Sequence, residues 1–152
     1  MHQLLHKLAP DFTLPDENNT PQTLSRFKGH NVVLYFYPKD NTPGCTQQAC
    51  SLRDAYSDYV KHDIQVMGVN YDSPASHKAF KEKYHLPFIL LSDSDGTVAQ
   101  QYGANSGIFG YFVPKRITFL INKQGVIIKI LENVDVHNDA QTIVETFKNY
   151  KN

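Results

Sequence analysis

The sequence predicts an α/β fold in which a mixed central sheet is flanked by helices. Short apolar runs of strand length recur along the chain, segments with helical spacing separate most of them, and a tight turn joins the last two. Strands that alternate with helices form a largely parallel sheet, and a closing hairpin adds an antiparallel part. The 152 residues lie within the usual domain size of about 100–200 residues. Residues 1–152 are therefore expected to form a single domain.

Five apolar segments are predicted to be strands: residues 32–37, 64–69, 88–91, 117–121 and 126–131. The first of them, Val-Val-Leu-Tyr-Phe-Tyr, is apolar or aromatic at every position, as expected of a strand buried on both faces. Residues 122–125 separate the last two segments and end in glycine, which predicts a hairpin.

Helical segments are predicted between and after these strands. Apolar or aromatic residues after Ala49 follow helical spacing and predict a helical stripe: Leu52, Tyr56, Tyr59 and Val60. Residues 74–84 begin with a proline that follows Asp-Ser, a plausible cap with proline at the first helical position. Residues 139–150 start at an aspartate and carry an apolar face, which predicts the last helix.

The composition excludes several classes of protein. Lys+Arg and Asp+Glu both number 15, so no charge excess exists to drive a broad interface with nucleic acid. The longest apolar run, residues 32–37, is far shorter than the roughly 18 residues of a membrane span. The first ten residues lack the apolar core of a signal peptide. We expect a soluble, cytoplasmic protein in a reducing compartment.

The histidines and the two cysteines predict neither a metal site nor a cofactor. Two cysteines cannot form a disulfide-rich scaffold. No C-x2-C or H-x3-H unit lies near Cys45 to complete a zinc site. His2 and His6 have i,i+4 spacing, but they lie in an N-terminal tail that is expected to fray.

The segment from Pro38 to Cys50 carries the chemistry. It follows a buried strand and opens a helix, which is where α/β folds place their sites. Thr42 suits the N-cap, Pro43 suits the first helical position, and Cys45 then lies at the third. The positive end of the helix favours the thiolate, which is the nucleophilic form of cysteine.

Donors are needed to stabilise the charge that develops when a thiolate reacts. The Thr42 hydroxyl and the amides of Gly44 and Cys45 are candidates near the helix start. Arg116 begins an otherwise apolar predicted strand, where a charge is costly unless it is paired. Pairing with a thiolate would offset that cost. The alternatives are a salt-bridge role for Arg116 and an inert helix cysteine at position 50.

The spacing of Cys45 and Cys50 limits their pairing. Five helical residues separate Cα atoms by about 8.6 Å, whereas a disulfide requires less than about 7 Å. Either these cysteines never pair, or the start of the helix unwinds to let them pair.

These residues resemble the active-site motif of the peroxiredoxin family. Pro38-x-x-x-Thr42-x-x-Cys45 matches that motif, and Arg116-x-Thr118-Phe119 resembles the strand that carries the family's catalytic arginine. The run from Tyr37 to Asp54 is similar to the Q-type subgroup, the bacterioferritin comigratory proteins. The resemblance implies a thioredoxin-like fold, with which the element order agrees.

The resemblance also implies a mechanism and partners. Cys45 is expected to attack a peroxide and become a sulfenic acid, and Cys50 to resolve it to an intramolecular disulfide that thioredoxin reduces. Pro38 is expected to shield the site from water, Thr42 to hydrogen-bond the peroxide, and Arg116 to stabilise the thiolate and the transition state. The protein is thus expected to be an antioxidant thiol peroxidase for hydrogen peroxide and organic hydroperoxides. Q-type relatives suggest a monomer.

Three other functions use the same fold or residues. A glutathione-peroxidase-like enzyme is close in fold, but the absence of Trp argues against its usual site residues. A thioredoxin-like disulfide oxidoreductase requires C-x-x-C, which the sequence lacks. A non-catalytic redox sensor would oxidise Cys45 and Cys50 once without cycling. The stretch 105–112 does not align clearly with the family and precedes Arg116, where it is expected to line the substrate entrance.

Overall fold

A computed structural model describes residues 2–105 and 113–150. In this part of the chain a five-stranded sheet lies at the centre, and a small antiparallel hairpin lies outside it. The strands of the central sheet are β3 (Asn31–Phe36), β4 (Ile64–Asn70), β5 (Ile89–Ser92), β6 (Ile117–Ile121) and β7 (Ile127–Leu131). The hairpin consists of β1 (Thr13–Pro15) and β2 (Pro21–Thr23).

The strand order β5-β4-β3-β6-β7 confirms the predicted mixed sheet. The strands β3, β4 and β5 pair in parallel, whereas β6 is antiparallel to both β3 and β7. The predicted hairpin across residues 122–125 is present, and Gly125 has a φ of 84° there. All five predicted strands lie within one residue of the observed bounds.

Five helices connect or follow the strands in the described residues: α1 (Pro43–Asp54), α2 (Tyr56–Lys61), α3 (Pro74–Tyr84), α4 (Thr97–Gln101) and α5 (Asp139–Asn149). A short 3₁₀ turn spans Leu24–Phe27. The prediction for α3 is confirmed, and the Ser73 side chain caps it by accepting a hydrogen bond from the Ser76 amide. The prediction for α5 is confirmed to within one residue.

The predicted helical stripe from Ala49 to Val60 is divided between two helices. The helical backbone is interrupted at Ala55, with φ −91° and ψ 0°, where α1 ends and α2 begins. Val60 is consequently 60% exposed, although Tyr59 beside it is fully buried. The apolar spacing continues across the break, so periodicity alone did not reveal it.

The two faces of the central sheet are covered differently. Alternate side chains of β3 point to opposite faces, so Val33 and Tyr35 belong to one cluster, and Val32 and Leu34 to the other. The buried apolar side chains of α1, α2, α3 and α5 all join the first cluster. The second is covered by α4 and by the chain that precedes β3.

The N-terminal residues are packed, which contradicts the expectation of a frayed tail. The His6 amide donates to the Ile127 carbonyl at 2.8 Å, and the Ile127 amide to the Lys7 carbonyl at 2.9 Å. The His2 ring lies edge-on to Phe119, and its Nδ1 accepts from the Leu4 amide. In the described residues no helix is long and apolar enough to cross a membrane.

Candidate active site

The site forms where β3 ends and α1 begins. Residues 37–42 make the loop between them, which we call the β3–α1 loop, and Pro43 is the first residue of α1. Thr42 has the extended backbone of an N-cap, with φ −94° and ψ 156°. Cys45 is therefore the third helical residue, as predicted, and its side chain is buried with 1% exposure.

The register of the sheet brings Arg116 to the same place. Phe36 at the end of β3 pairs with Ile117 at the start of antiparallel β6. Arg116 directly precedes Ile117, so it lies at the end of the sheet where β3 leads into the β3–α1 loop. Its Nη2 donates to Cys45 Sγ at 3.2 Å. The predicted approach of these two residues, 71 positions apart, is confirmed.

Gln48 completes this arrangement, and the sequence reasoning missed it. Its buried Oε1 accepts from Arg116 Nη1 at 2.7 Å. One nitrogen of the guanidinium is thus anchored while the other contacts the sulfur. Gln48 lies three residues after Cys45, so both project from the same face of α1. A polar residue at that spacing was the available signal.

Gly44 leaves room for the guanidinium. A Cβ atom at this position would lie 3.2 Å from Arg116 Nη2, which is a tight contact. A side chain at this position would therefore require the guanidinium to shift by a few tenths of an ångström, so the constraint arises from the approach of Arg116 rather than from the backbone conformation.

Thr42 occupies the cap position, but its side chain does not cap the helix. Its hydroxyl donates to the Lys39 carbonyl at 2.9 Å, and no side-chain bond to the first turn is made. The predicted N-cap position of Thr42 is nevertheless confirmed by its backbone. The hydroxyl proton is directed at Lys39, so the lone pairs of the Thr42 oxygen remain available to accept a hydrogen bond.

Both cysteines are free thiols in one continuous helix. Cys50 is partly buried and lines an open cleft of about 340 Å³. Thr42, Thr46 and Tyr84 also line this cleft. With α1 intact, the two cysteines stay about 8.6 Å apart at Cα, so the structure corresponds to the reduced form.

Two further predictions concern Pro38 and the stretch 105–112. Pro38 is partly buried in the β3–α1 loop, and its shielding role stays a prediction. Asn105 forms an isolated bridge with Pro114. Residues 106–112 lie outside the described residues, so the predicted substrate entrance is untested there.

Asp40 is a second residue that the sequence reasoning missed. It lies in the β3–α1 loop, yet it is only 7% exposed. Burial by itself would raise the pKa of the Asp40 carboxyl. This effect is outweighed by the hydrogen bond and the charge of His77 and by hydrogen bonds from the Tyr37 and Ser76 hydroxyls, which together hold the pKa below the ordinary 3.8. Burial raises the pKa of Tyr37 well above its ordinary value, so that hydroxyl remains a donor.

Comparison with known proteins places this geometry in context. The AhpC/TSA family pattern matches residues 5–130. The chain is 50% identical over 126 residues to a chloroplastic peroxiredoxin Q of Triticum aestivum, covering 83% of this chain and 58% of that protein. It is 46% identical over 140 residues to a putative peroxiredoxin bcp of Coxiella burnetii, covering 90% and 93%. The chain thus spans about three fifths of the length of the plant relatives, and nearly all of the bacterial one.

Solved structures agree with the sequence relatives. Peroxidoxin BcpB from Mycobacterium tuberculosis superposes with a TM-score of 0.91 at 32% identity, covering 99% of this chain and 100% of that one. Peroxiredoxin Q from Xanthomonas campestris gives 0.83 at 30% identity, covering 90% and 89%. The predicted thioredoxin-like fold is therefore confirmed.

Proposed function

We propose a function on the premise that the chain belongs to the AhpC/TSA family and is a peroxiredoxin of the Q/bcp type. The function is that of a thiol-dependent peroxidase for hydrogen peroxide and organic hydroperoxides. The observation that carries this proposal is the 3.2 Å contact from Arg116 Nη2 to Cys45 Sγ. A buried thiol at a helix start, with a guanidinium fixed beside it, is built to react as a thiolate.

In the first step the Cys45 thiolate attacks one oxygen of the peroxide. An S–O bond forms, the O–O bond breaks, and Cys45 becomes a sulfenic acid. The other oxygen leaves as hydroxide or alkoxide and takes up a proton. Arg116 stabilises the negative charge on the sulfur and on the departing oxygen. The free lone pairs of Thr42 accept a hydrogen bond from the hydroperoxide O–H.

In the second step the Cys50 thiol attacks the sulfenic acid. An S–S bond forms, the S–O bond breaks, and water leaves. Because about 8.6 Å separates the two Cα atoms in an intact helix, the start of α1 must unwind before this bond can form. The cleft beside Cys50 gives residues 43–50 open space into which to move.

A dithiol reductant of the thioredoxin class completes the cycle by thiol–disulfide exchange. It is oxidised to its own disulfide as both thiols of the peroxidase are restored. We place this cycle in a reducing compartment, the cytoplasm, with the protein acting as a monomer. Support for the reducing compartment is the use of cysteines for chemistry rather than for a disulfide framework.

A thiol titration tests the proposal. Reduced protein receives one equivalent of hydrogen peroxide, and free thiols are counted with time under denaturing conditions, alongside intact mass. We expect rapid loss of both thiols and a mass decrease of two hydrogens. Two thiols that persist for minutes would contradict an activated Cys45.

Two variants separate the steps. Cys45→Ser should abolish the reaction, whereas Cys50→Ser should keep the first oxidation and lose thioredoxin-driven turnover. Full turnover of Cys50→Ser with thioredoxin as the sole thiol would contradict the resolving role. A wild-type protein that oxidises once and is not recycled by thioredoxin would instead be a redox sensor.

A further inference from the structure

We propose that Asp40 and His77 are positioning residues for the peroxidase reaction, forming a buried imidazolium–carboxylate pair that fixes the β3–α1 loop. The role rests on the proposed function, since the loop carries the residues that meet the peroxide. Neither residue touches the reacting atoms. Pro38 and Thr42, the two candidates for contact with the peroxide, each lie two positions from Asp40 on either side.

The Asp40 carboxylate collects four hydrogen bonds. Its Oδ1 accepts from the Tyr37 hydroxyl at 2.6 Å and from Asn70 Nδ2 at 3.3 Å. Its Oδ2 faces His77 Nδ1 at 2.7 Å and accepts from the Ser76 hydroxyl at 2.8 Å. Asn70 is the last residue of β4, whereas Ser76 and His77 lie in the first turn of α3. One loop carboxylate is thereby tied to two separate elements of the fold.

The His77 ring lies between two acceptors. It is fully buried, and its Nε2 is 3.0 Å from the Leu91 carbonyl on β5. A carbonyl can only accept, so Nε2 carries a proton. If Nδ1 lacked one, it would face an ionised carboxylate at 2.7 Å as a second acceptor. The Asp40 carboxylate accepts from the Tyr37 and Ser76 hydroxyls and from Asn70 Nδ2, so it acts as an acceptor on both oxygens, and Nδ1 of His77 is the donor of the contact between them.

The loop backbone is held as well. The Asp40 amide donates to Asp72 Oδ2 at 2.8 Å, and Asp72 also accepts from Asn70 Nδ2 at 3.0 Å. The exposed Lys39 ammonium lies 3.8 Å from the other Asp72 oxygen. Side chain and backbone of the same residue are therefore both fixed, at the midpoint of the loop.

This anchoring has a consequence for the reaction cycle. The first turns of α1 must unwind for Cys45 to reach Cys50, and they must return to the same place afterwards. A fixed point just before α1 lets the helix start open while Pro38 and Thr42 keep their positions. Loss of the pair frees the loop, and a displacement of 1 Å in a positioning group costs up to about 10²-fold in rate.

The test compares two reactions of Cys45. Hydrogen peroxide requires the positioned loop, whereas iodoacetamide alkylates any accessible thiolate. We expect His77→Leu to lower the ratio of the peroxide rate constant to the alkylation rate constant by about 10–100-fold. His77→Asn keeps a side-chain N–H near the Nδ1 position and should restore part of the ratio.

The matched control is Lys81→Met. Lys81 lies one turn further along α3 and pairs with the buried Glu17 at 2.8 Å, so its loss removes another ion pair without touching the β3–α1 loop. The control should leave the ratio unchanged. An equal fall in Lys81→Met, or a ratio within threefold of wild type in both His77 variants, overturns the positioning role.

Nitrogen-15 NMR of the histidine rings provides a readout that does not depend on activity. The His77 ring, assigned by its loss in His77→Asn, should carry protons on both nitrogens at pH 7. A neutral ring overturns the proposal. A wild-type protein that reacts with peroxide no faster than free cysteine overturns the proposed function and the positioning role together. A fast wild type with unchanged variants overturns the positioning role alone.

Discussion

Replacing Arg116 by methionine tests the centre of the site most directly. Methionine keeps much of the length of the side chain but removes the charge and the donors. The contact to Cys45 Sγ at 3.2 Å and the bond to Gln48 Oε1 at 2.7 Å are both lost. We expect the second-order rate constant for oxidation of Cys45 by hydrogen peroxide to fall sharply.

The size of the effect follows from the geometry. A unit charge 3.2 Å from a thiolate interacts by about 5 kcal/mol at an effective dielectric constant of about 20. The guanidinium charge is delocalised, and only the part of the interaction that grows in the transition state affects the rate. Losing one such donor typically costs about 2.7–4 kcal/mol, or about 10²–10³-fold in rate. We expect Arg116→Met to fall in that range.

Stopped-flow mixing with excess peroxide, followed by acid quench and mass analysis, measures the first oxidation alone. Lys115→Met is the matched control, because Lys115 is the neighbouring cation and its side chain is exposed. It should react within about twofold of wild type, since exposed charges are screened. A rate for Arg116→Met within threefold of wild type would refute the reasoning, as would an equal loss in both variants.

Three further substitutions test other parts of the structure. Gln48→Leu leaves Arg116 Nη1 without its acceptor, so the free energy of unfolding should fall by about 1–3 kcal/mol. The rate constant for oxidation by peroxide should fall less than in Arg116→Met, and an equal fall would contradict the direct role of the guanidinium. Gly68→Ala would place a Cβ 2.8 Å from Tyr35 Cζ, so urea denaturation should show about 1–3 kcal/mol of destabilisation, and unchanged stability would show that the ring can move. The depressed pKa of Asp40 contributes stability that is present above about pH 4 and is lost as pH falls through the lower folded-state value. The stability difference between wild type and Asp40→Asn should therefore be constant above about pH 5 and shrink as the pH falls below about 4, and a difference that stays constant at low pH would contradict an ionised Asp40.

Much of the fold was predictable because the signals are local. Each strand of the central sheet is a short, mostly apolar segment, and α3 has its proline and cap within a few residues. The N-terminal hairpin and α4 were missed because they are too short for a periodic pattern: the strands have three residues each and the helix has five. The break at Ala55 was missed because the apolar spacing continues across it.

The reactive cysteine itself was also predictable. A buried strand, a loop with prolines and a helix start lie within one short segment, and they place Cys45 at the third helical position. The helix geometry likewise limits pairing with Cys50. These conclusions need only backbone preferences and helix dimensions, which act between residues that are close in the chain.

The sequence by itself determined the fold class, the position of the thiol and the chemistry that a thiol there can perform. The tertiary structure decided how the polar groups are arranged around it, and it alone added Gln48 and Asp40. Arg116 reaches Cys45 from 71 residues away because Phe36 pairs with Ile117. His77 reaches Asp40 across 37 residues because α3 packs against the sheet. Strand register and packing bring these side chains together, and no spacing within a local segment records such contacts.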